Sequence, residues 1–328
     1  MHLNNLEKFP ELADGICHAM TCWDNSEVRV ARWPSLSPTP KGTICLLQGR
    51  AEFIEKYYEV ITELRQRGFA VATLDWRGQG MSDRLLPDRM KGHVRRFTDY
   101  GRDLEQFIKD VILPDCPPPC FALAHSMGGL ILLNNLPRLR TKIERAFLCA
   151  PLIEINTSAH GFMGISLQQP GIRKASGLLR YLGLGNWYVP GAPRTPLDRL
   201  GFYTNKLTSD GPRYDRNRQF LIDAPELGIG GPTILWTHEI SKALDVLQSS
   251  DFQPTIHTPT FILTAGNDAI VNSRAAELFA LTTRAAHATS ITGSKHEIMM
   301  EREIIREQFW AAFDCFIPGT STLRQQSA

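Results

Sequence analysis

Short apolar runs alternate with segments of helical spacing along two stretches of the chain. Four runs in the first stretch are typical of buried strands: TICLLQG (43–49), AVATLDW (70–76), CFALAHS (120–126) and RAFLCAP (145–151). CHAMTCW (17–23) and VRVARW (28–33) precede them as a predicted strand pair. Helical spacing separates the runs, as over 97–113, where Pro114 should end the helix. This alternation predicts an α/β fold, with a mainly parallel sheet and helices on both faces.

The alternation is interrupted over residues 152–235, which are rich in Gly, Pro and short amphipathic pieces. It resumes with the predicted strands TFILTA (260–265) and HATSI (287–291) and a last helix over 297–316. We therefore predict a core formed by residues 1–151 and 236–328, with 152–235 as an inserted, mostly helical cap. Ligands of open parallel sheets bind at the carboxyl ends of the strands, where such an insertion could act as a lid.

Charge and cysteine content narrow the classes of function. The net charge is 36 − 34 = +2, too small to indicate a nucleic-acid partner. The seven cysteines form no CxxC pair, so we expect no metal site, and unpaired cysteines favour a reducing, cytoplasmic location. The amino-terminal segment has no signal-peptide pattern, and no apolar run reaches the roughly 18 residues of a membrane span.

The strongest chemical signal is AHSMGG (124–129), which lies between a predicted strand and a predicted helix. A nucleophile elbow requires this context, because a sharp strand-to-helix turn exposes the serine hydroxyl. Ala124 and Gly128 provide the small residues that let strand and helix approach each other. We interpret Ser126 as a nucleophile; the alternative is an ordinary helix-capping serine.

A serine nucleophile needs a base, and the base needs an acid to orient it. Among nine histidines, His296 is favoured because it follows the last predicted strand and precedes the last helix. Asp268 follows the strand FILTA, although a turn aspartate would also fit AGND. The chain order Ser126, Asp268, His296 is the order that α/β-hydrolases use.

An oxyanion hole should accompany this triad, because acyl transfer develops negative charge on the carbonyl oxygen. We expect the backbone N–H groups of Met127 and Arg50 to form it. Met127 follows the nucleophile, and Arg50 lies in the turn after the TICLLQG strand. The alternative for QGRAE (48–52) is a simple turn.

Several segments together resemble the monoacylglycerol lipase and lysophospholipase group of α/β-hydrolases, over most of residues 40–315. They are LLQGRAEFIEKY, LDWRGQGMSDR, KGHVRRFTDY, LAHSMGG, AGNDAIV and GSKHEIMME. Gln48, Ala124 and Gln79 depart from the group's usual His, Gly and His, but none of these changes removes a catalytic atom. The resemblance implies that Asp75–Ser82 is a structural loop rather than a phosphate-binding loop.

The insertion lies where that group carries its cap. Residues 161–235 carry nine Lys/Arg and five Asp/Glu, a balance of +4 that is compatible with transient contact with an anionic membrane surface or with a solvated face. Its apolar side chains could line an acyl site or pack within the cap. The candidate substrate-binding residues are Phe162, Met163, Leu178, Leu182 and Trp187.

The sequence thus predicts a serine hydrolase that cleaves a small-molecule or lipid carboxylic ester through an acyl-enzyme, without metal or organic cofactor. The resemblance suggests a monoacylglycerol or a lysophospholipid. Two alternatives stay open: an aminopeptidase on the same fold, and a catalytically silent binding protein. A dehalogenase or epoxide hydrolase is disfavoured, because those enzymes carry aspartate in place of Ser126.

Overall fold

Eight strands form one sheet in the computed structural model, which describes residues 1–156, 170–196 and 201–319. The strands are β1 Ile16–Thr21, β2 Glu27–Trp33, β3 Thr43–Leu47, β4 Ala70–Leu74, β5 Cys120–His125, β6 Arg145–Cys149, β7 Thr260–Ala265 and β8 Ala286–Ile291. Their order across the sheet is β1-β2-β4-β3-β5-β6-β7-β8. β2 pairs antiparallel with β1 and β4, and the other neighbours are parallel. The predicted α/β fold class is confirmed.

Helices lie between the strands and over the insertion. They are α1 Tyr58–Gln66, α2 Phe97–Phe107, α3 Leu113–Asp115, α4 Met127–Leu139, α5 Pro170–Tyr181, α6 Gly211–Asp223, α7 Ile234–Gln248, α8 Ser273–Thr282 and α9 Glu303–Phe316. β3, β4 and β5 are buried along their whole length, as their continuous apolar runs require in a sheet covered on both faces. None of these helices, within the described ranges, is long and apolar enough to cross a bilayer.

Three helix boundaries differ from the sequence prediction. The helix predicted over 97–113 continues through a π-helical turn, Ile108–Ile112, into α3, so Pro114 lies within the helical segment and does not end it. The last helix begins at Glu303 rather than at residue 297, because the Arg306 guanidinium and the Thr208 hydroxyl bind the carbonyls of Met299 and Met300 and hold that segment out of the helix. α7 begins at Ile234, where the Thr233 side chain accepts a hydrogen bond from the Trp236 N–H. The boundary expected between insertion and core therefore falls inside the first turn of α7.

A buried ion cluster holds the segment that follows β4. The Asp75 carboxylate accepts hydrogen bonds from the backbone N–H groups of Ile54 (3.0 Å) and Met81 (2.7 Å). Arg29, fully buried, bridges Asp75 and Glu55. Asp75 thus joins its own loop to the one after β3, which is the structural use that the resemblance implied for residues 75–82.

The described parts of the predicted insertion contact the core through two helices, α6 and α5. α6 is joined to α1 by an ion pair between Arg213 and Glu59 (2.6 Å). α5 instead packs on α7, where the Ser176 hydroxyl lies 3.3 Å from His238 Nδ1. An ion pair between Arg173 and Asp245 also joins α5 to α7, so both described halves of the insertion have polar contacts with the core.

α4 approaches the end of β3 so closely that only glycine fits at Gly128. A Cβ atom there would lie 2.5 Å from the carbonyl oxygens of both Leu47 and Gln48. These are backbone atoms, so relief would require the strand end or the helix to move. The sequence segment 124–129 therefore depends on Gly128 for its packing.

We expect Gly128→Ala to lower the free energy of unfolding by about 1–3 kcal/mol, because the added methyl overpacks two backbone carbonyls. Gly177→Ala is the matched control. It adds the same methyl inside α5, where the nearest atom is 3.4 Å away, and it should be neutral or stabilising by about 0.5–1 kcal/mol. Urea titration measures both, and equal stabilities of the two variants would contradict the packing argument.

Candidate active site

Ser126 lies in a strained turn between β5 and α4. Its backbone adopts φ 48° and ψ −114°, a region that non-glycine residues rarely occupy and that costs on the order of 1–3 kcal/mol. Hydrogen bonds to the neighbouring strand end hold the turn: the Ser126 N–H donates to Cys149 O (3.1 Å) and the Leu152 N–H donates to Ser126 O (2.9 Å). This is the strand–turn–helix geometry expected of a nucleophile elbow.

His296 lies in the loop after β8, with its ring between Ser126 and Asp268. Nε2 is 3.0 Å from Ser126 Oγ, and Nδ1 is 2.8 Å from Asp268 Oδ2. The strands β5, β6, β7 and β8 are consecutive parallel neighbours in the sheet. Their carboxyl ends therefore lie at the same edge. The structure therefore brings all three predicted triad residues into one hydrogen-bonded relay.

Asp268 is oriented by the loop that carries it. Its Oδ1 accepts the backbone N–H groups of Ile270 (2.7 Å) and Val271 (2.9 Å), leaving Oδ2 for His296. Asn156 donates from its side chain to the Asp268 carbonyl (2.8 Å). The two loop N–H groups thus orient the carboxylate, and Asn156 holds the backbone of the same residue.

Burial and the charge of the partner have opposite effects on the pKa values of His296 and Asp268. Burial would lower the pKa of His296, but the Asp268 charge and its hydrogen bond outweigh burial and raise the pKa above the usual 6.5. Burial would raise the pKa of Asp268, but the His296 charge and the hydrogen bonds lower it below its usual range. The relay thus stabilises an imidazolium next to an ionised carboxylate, as a general base requires.

The loop after β3 lies against the nucleophile. A Cβ atom built on Gly49 would be 3.2 Å from Ser126 Cβ, so Arg50 follows at the edge of the site. The Arg50 guanidinium donates to Gly230 O (2.6 Å) and lies 5.0 Å from the Trp236 ring. Its side chain therefore connects this loop with the end of the insertion, which the sequence did not indicate.

The other predicted oxyanion donor, Met127, is the first residue of α4 and is fully buried. Its N–H is therefore one of the first N–H groups of a helix, which have no acceptor within that helix. These donors and the helix dipole favour a negative charge at this end. Both donors lie in segments next to Ser126, and their role as an oxyanion hole stays a prediction.

Sequence reasoning missed a group of buried charges beneath the relay. Glu52, Lys56 and Glu297 are nearly inaccessible to solvent, and His125 places its ring 4.8 Å from that of His296. The His125 Nδ1 lies 3.1 Å from Cys149 O. The available signal was the spacing of Glu52 and Lys56, an i, i+4 pair of opposite charges.

The predicted cap residues fall into two groups. Phe162 and Met163 lie outside the described residues. Leu178 and Leu182, on and just after α5, and Trp187 are 60%, 61% and 63% exposed. These three side chains are largely exposed among the described residues, and their role in an acyl site stays a prediction.

Within residues 1–156, 170–196 and 201–319, no three His, Cys, Asp or Glu side chains cluster as metal ligands.

The sheet order, the strained Ser126 elbow and the relay at one sheet edge define the class of the α/β-hydrolases. Solved structures support this fold. A monoglyceride lipase from Saccharomyces cerevisiae superposes with a TM-score of 0.71 at 18% identity, covering 93% of this chain and 95% of that one. A carboxyl esterase from Bacillus coagulans gives a TM-score of 0.72 at 16% identity, covering 93% and 98%.

Within that class, the chain belongs to the Hydrolase_4 family, described as serine aminopeptidase S33, whose model matches residues 38–303. Lysophospholipase L2 of Escherichia coli (strain K12) is 33% identical over 296 residues, which cover 86% of this chain and 82% of that protein. A monoglyceride lipase of Rattus norvegicus is 32% identical over 120 residues, covering 37% and 38%. The resemblance to lysophospholipases and monoacylglycerol lipases is confirmed.

We expect the two adjacent histidines to titrate far apart. The Asp268 carboxylate should keep the His296 pKa above 6.5, whereas burial lowers the pKa of His125 to about 4. As the pH falls from 8, His296 should therefore gain its proton first. NMR titration of the imidazole resonances, assigned with His296→Gln, measures both values.

The control for this titration is Asp268→Asn, which removes the charge that raises the His296 pKa. That variant should lower the pKa of His296, because burial then acts with less opposition. A wild-type His296 that titrates below 6.5 would contradict the assigned electrostatics.

Proposed function

We propose that the protein is a serine carboxylic-ester hydrolase that acts through an acyl-enzyme. Ser126 is the nucleophile, His296 the general base and Asp268 the acid that orients it. The observation that carries this proposal is the continuous relay from Ser126 Oγ to His296 Nε2 (3.0 Å) and from His296 Nδ1 to Asp268 Oδ2 (2.8 Å). Membership of a hydrolase family supports it.

The reaction follows from the protonation states of the relay. His296 Nε2 removes the proton of Ser126 as Oγ bonds to the ester carbonyl carbon. The tetrahedral oxyanion then collapses, the ester C–O bond breaks, and the same Nε2–H protonates the departing alcohol. Water repeats the two steps in reverse order and releases the acid, while Asp268 stays ionised throughout.

The developing oxyanion is held, in this proposal, by the backbone N–H groups of Arg50 and Met127. Gly49 supports the choice of Arg50, since a Cβ on this glycine would nearly touch Ser126. Such donors act without reorganisation, and loss of one typically costs a factor of about 10²–10³ in rate.

We propose a lipid ester as substrate, either a lysophospholipid or a monoacylglycerol. The names of the relatives support this class of substrate. So do the exposed apolar side chains of Leu178, Leu182 and Trp187 on the inserted segment 152–235, which we propose as the cap. Phe162 and Met163 join the proposed acyl site on sequence grounds alone.

Aminopeptidase activity is the second candidate, because the matching family is described by that activity. An aminopeptidase needs acidic side chains to bind the free amine of its substrate. Two acids of the insertion have other partners: Asp210 accepts the Arg213 N–H (2.8 Å), and Asp223 accepts the Asn5 side chain (3.0 Å). This disposition favours the ester.

The proposal predicts that a fluorophosphonate probe labels the protein once, at Ser126. Ser126→Ala should abolish both labelling and turnover of p-nitrophenyl esters, because it removes the hydroxyl that is hydrogen-bonded to the His296 base. Mass spectrometry of the labelled peptide identifies the site.

Asp268→Asn should stay folded and lower kcat by a factor on the order of 10⁴, because the imidazole then loses its orienting acid.

Lysophosphatidylcholine, a monoacylglycerol and an aminoacyl p-nitroanilide should be tested together with these variants. Turnover of the anilide above that of the esters would replace the ester hydrolase with the aminopeptidase. Labelling that persists in Ser126→Ala would overturn the nucleophile.

We expect the exposed apolar side chains of the cap to select long acyl chains. Each buried methylene contributes roughly 0.8 kcal/mol, about fourfold in kcat/KM per carbon. Leu178→Asp and Leu182→Asp should therefore penalise dodecanoyl and longer esters and spare acetyl or butyryl esters. The measurement is kcat/KM against chain length.

Leu281→Asp is the matched control, since Leu281 is an exposed leucine on α8, outside the insertion. It should leave the chain-length dependence unchanged. Chain-length curves of Leu178→Asp that run parallel to those of the wild type would exclude a role for this segment in acyl selection.

A further inference from the structure

We propose that Lys56 is a positioning residue that couples the predicted oxyanion loop to the loop of His296, through Glu52 and Glu297. This inference rests on the proposed function, because it assigns work to Lys56 in the same reaction. The Lys56 ammonium pairs with Glu52 and Glu297, and we argue that it acts on the site through these two carboxylates.

The Lys56 ammonium bridges two buried carboxylates. Its Nζ lies 3.2 Å from Glu52 Oε1 and 2.7 Å from Glu297 Oε1, and the lysine is 1% exposed. Glu52 and Lys56 belong to the segment after β3, whereas Glu297 follows β8, 241 residues further along the chain than Lys56. The bridge therefore joins two loops that nothing in the local sequence connects.

At one end, Glu52 holds the loop that carries the predicted oxyanion donor. Its Oε2 accepts the Gly49 N–H in a short hydrogen bond and the Tyr57 hydroxyl at 2.7 Å. Burial would raise the pKa of Glu52, but the Lys56 charge and these bonds lower it to about 2. An ionised Glu52 thus fixes the Gln48–Gly49 peptide, one peptide before the one that carries the Arg50 N–H.

At the other end, Glu297 is the residue directly after His296. Its side chain is held by Lys56, and its backbone N–H donates to Leu207 O in the insertion (2.8 Å). Lys295, directly before His296, donates its ammonium to the carbonyls of Asn205 (3.1 Å) and Thr208 (3.2 Å). The imidazole is therefore supported from the core by Lys56 and from the insertion by residues 205–208.

Stability alone is a weak explanation for this bridge. Buried ion pairs pay a large desolvation penalty, and apolar residues of similar volume often stabilise a protein equally well or better. A buried ammonium between two carboxylates does fix geometry, because any displacement of either loop separates opposite charges. The bridge lies between the loop that carries the base and the loop that carries the predicted oxyanion donor. Holding these two loops at a fixed distance would serve the reaction.

The bridge also sets the charge around His296. The groups that face the imidazole are Asp268, Glu52 and Glu297 as carboxylates, His125 as a neutral ring, and Lys56 through both glutamates. The charges of Glu52 and Glu297 raise the pKa of His296 in addition to Asp268. The single positive charge of Lys56 offsets part of the negative charge of these two glutamates, so its removal should favour the imidazolium further.

Lys56→Met tests the inference. We expect kcat for a p-nitrophenyl ester to fall by a factor on the order of 10², the cost of about 1 Å of misplacement at a reacting centre, with little change in KM. The acid limb of the kcat/KM profile should move to higher pH, because the uncompensated carboxylates stabilise protonated His296, which cannot act as a base. Lys56→Arg keeps the charge and should recover most of the activity.

Glu297→Gln provides the opposite test. It should also lower kcat, because the bridge is broken, but the acid limb should move to lower pH, because a negative charge near His296 is lost. The double variant Lys56→Met/Glu297→Gln should be little slower than either single variant, since both break one bridge. Damage to folding alone would give neither the opposite pH shifts nor the non-additivity.

The outcomes separate this inference from the proposed function. If wild-type protein is neither labelled at Ser126 nor active on esters, the proposed function fails first. If the wild type is labelled and active, and Lys56→Met keeps its kcat and its acid limb, or the two substitutions add fully, then Lys56 does not position the site. Should Lys56→Met fail to fold by melting temperature, the Lys56→Arg and Glu297→Gln profiles decide: unchanged kcat and pH dependence in Glu297→Gln overturns the inference.

Discussion

The left-handed backbone at Ser126 is the constraint on which the geometry of the site depends. A serine does not adopt φ 48° without cost, so the surrounding structure must impose it. The ends of β5 and β6 do this through backbone hydrogen bonds on both sides of Ser126. Gly128 contributes by its lack of a side chain, which lets α4 start directly above the carbonyls of Leu47 and Gln48. The strain and the orientation of the hydroxyl have the same origin, because the turn that strains the backbone also directs Oγ towards His296.

Two buried ion clusters hold the loops around this turn. Arg29 with Asp75 and Glu55 joins the loop after β4 to the segment after β3, and Lys56 with Glu52 and Glu297 joins that segment to the His296 loop. Each cluster carries two carboxylates on one cation and lies where loops meet rather than inside the apolar core. The loops are thus fixed by charge at the sheet edge, whereas the sheet is fixed by continuous apolar burial.

The insertion contacts the active-site loops through one part and exposes apolar side chains on another. Residues from 205 onwards are bonded to the core next to the proposed active site, through Leu207, Thr208 and Arg213. α5 packs on α7 and leaves Leu178 exposed. Part of the proposed cap therefore belongs structurally to the site of His296, and the apolar surface suited to a lipid lies on the other part.

The sequence alone determined the strand and helix pattern and the chain order of Ser126, Asp268 and His296, because apolar periodicity and turn chemistry are local properties. It also indicated Gly128 and the elbow, since both lie within six residues. Only the tertiary structure decided which distant charges meet: nothing local connects Lys56 with Glu297, Arg29 with Asp75, or Lys295 with the carbonyls of the insertion. The start of α9 at Glu303 has the same cause, because Arg306 and Thr208 bind the preceding carbonyls from other turns and other segments. Local pattern fixes where a strand ends; the packing of strand ends along one sheet edge fixes which side chains become neighbours there.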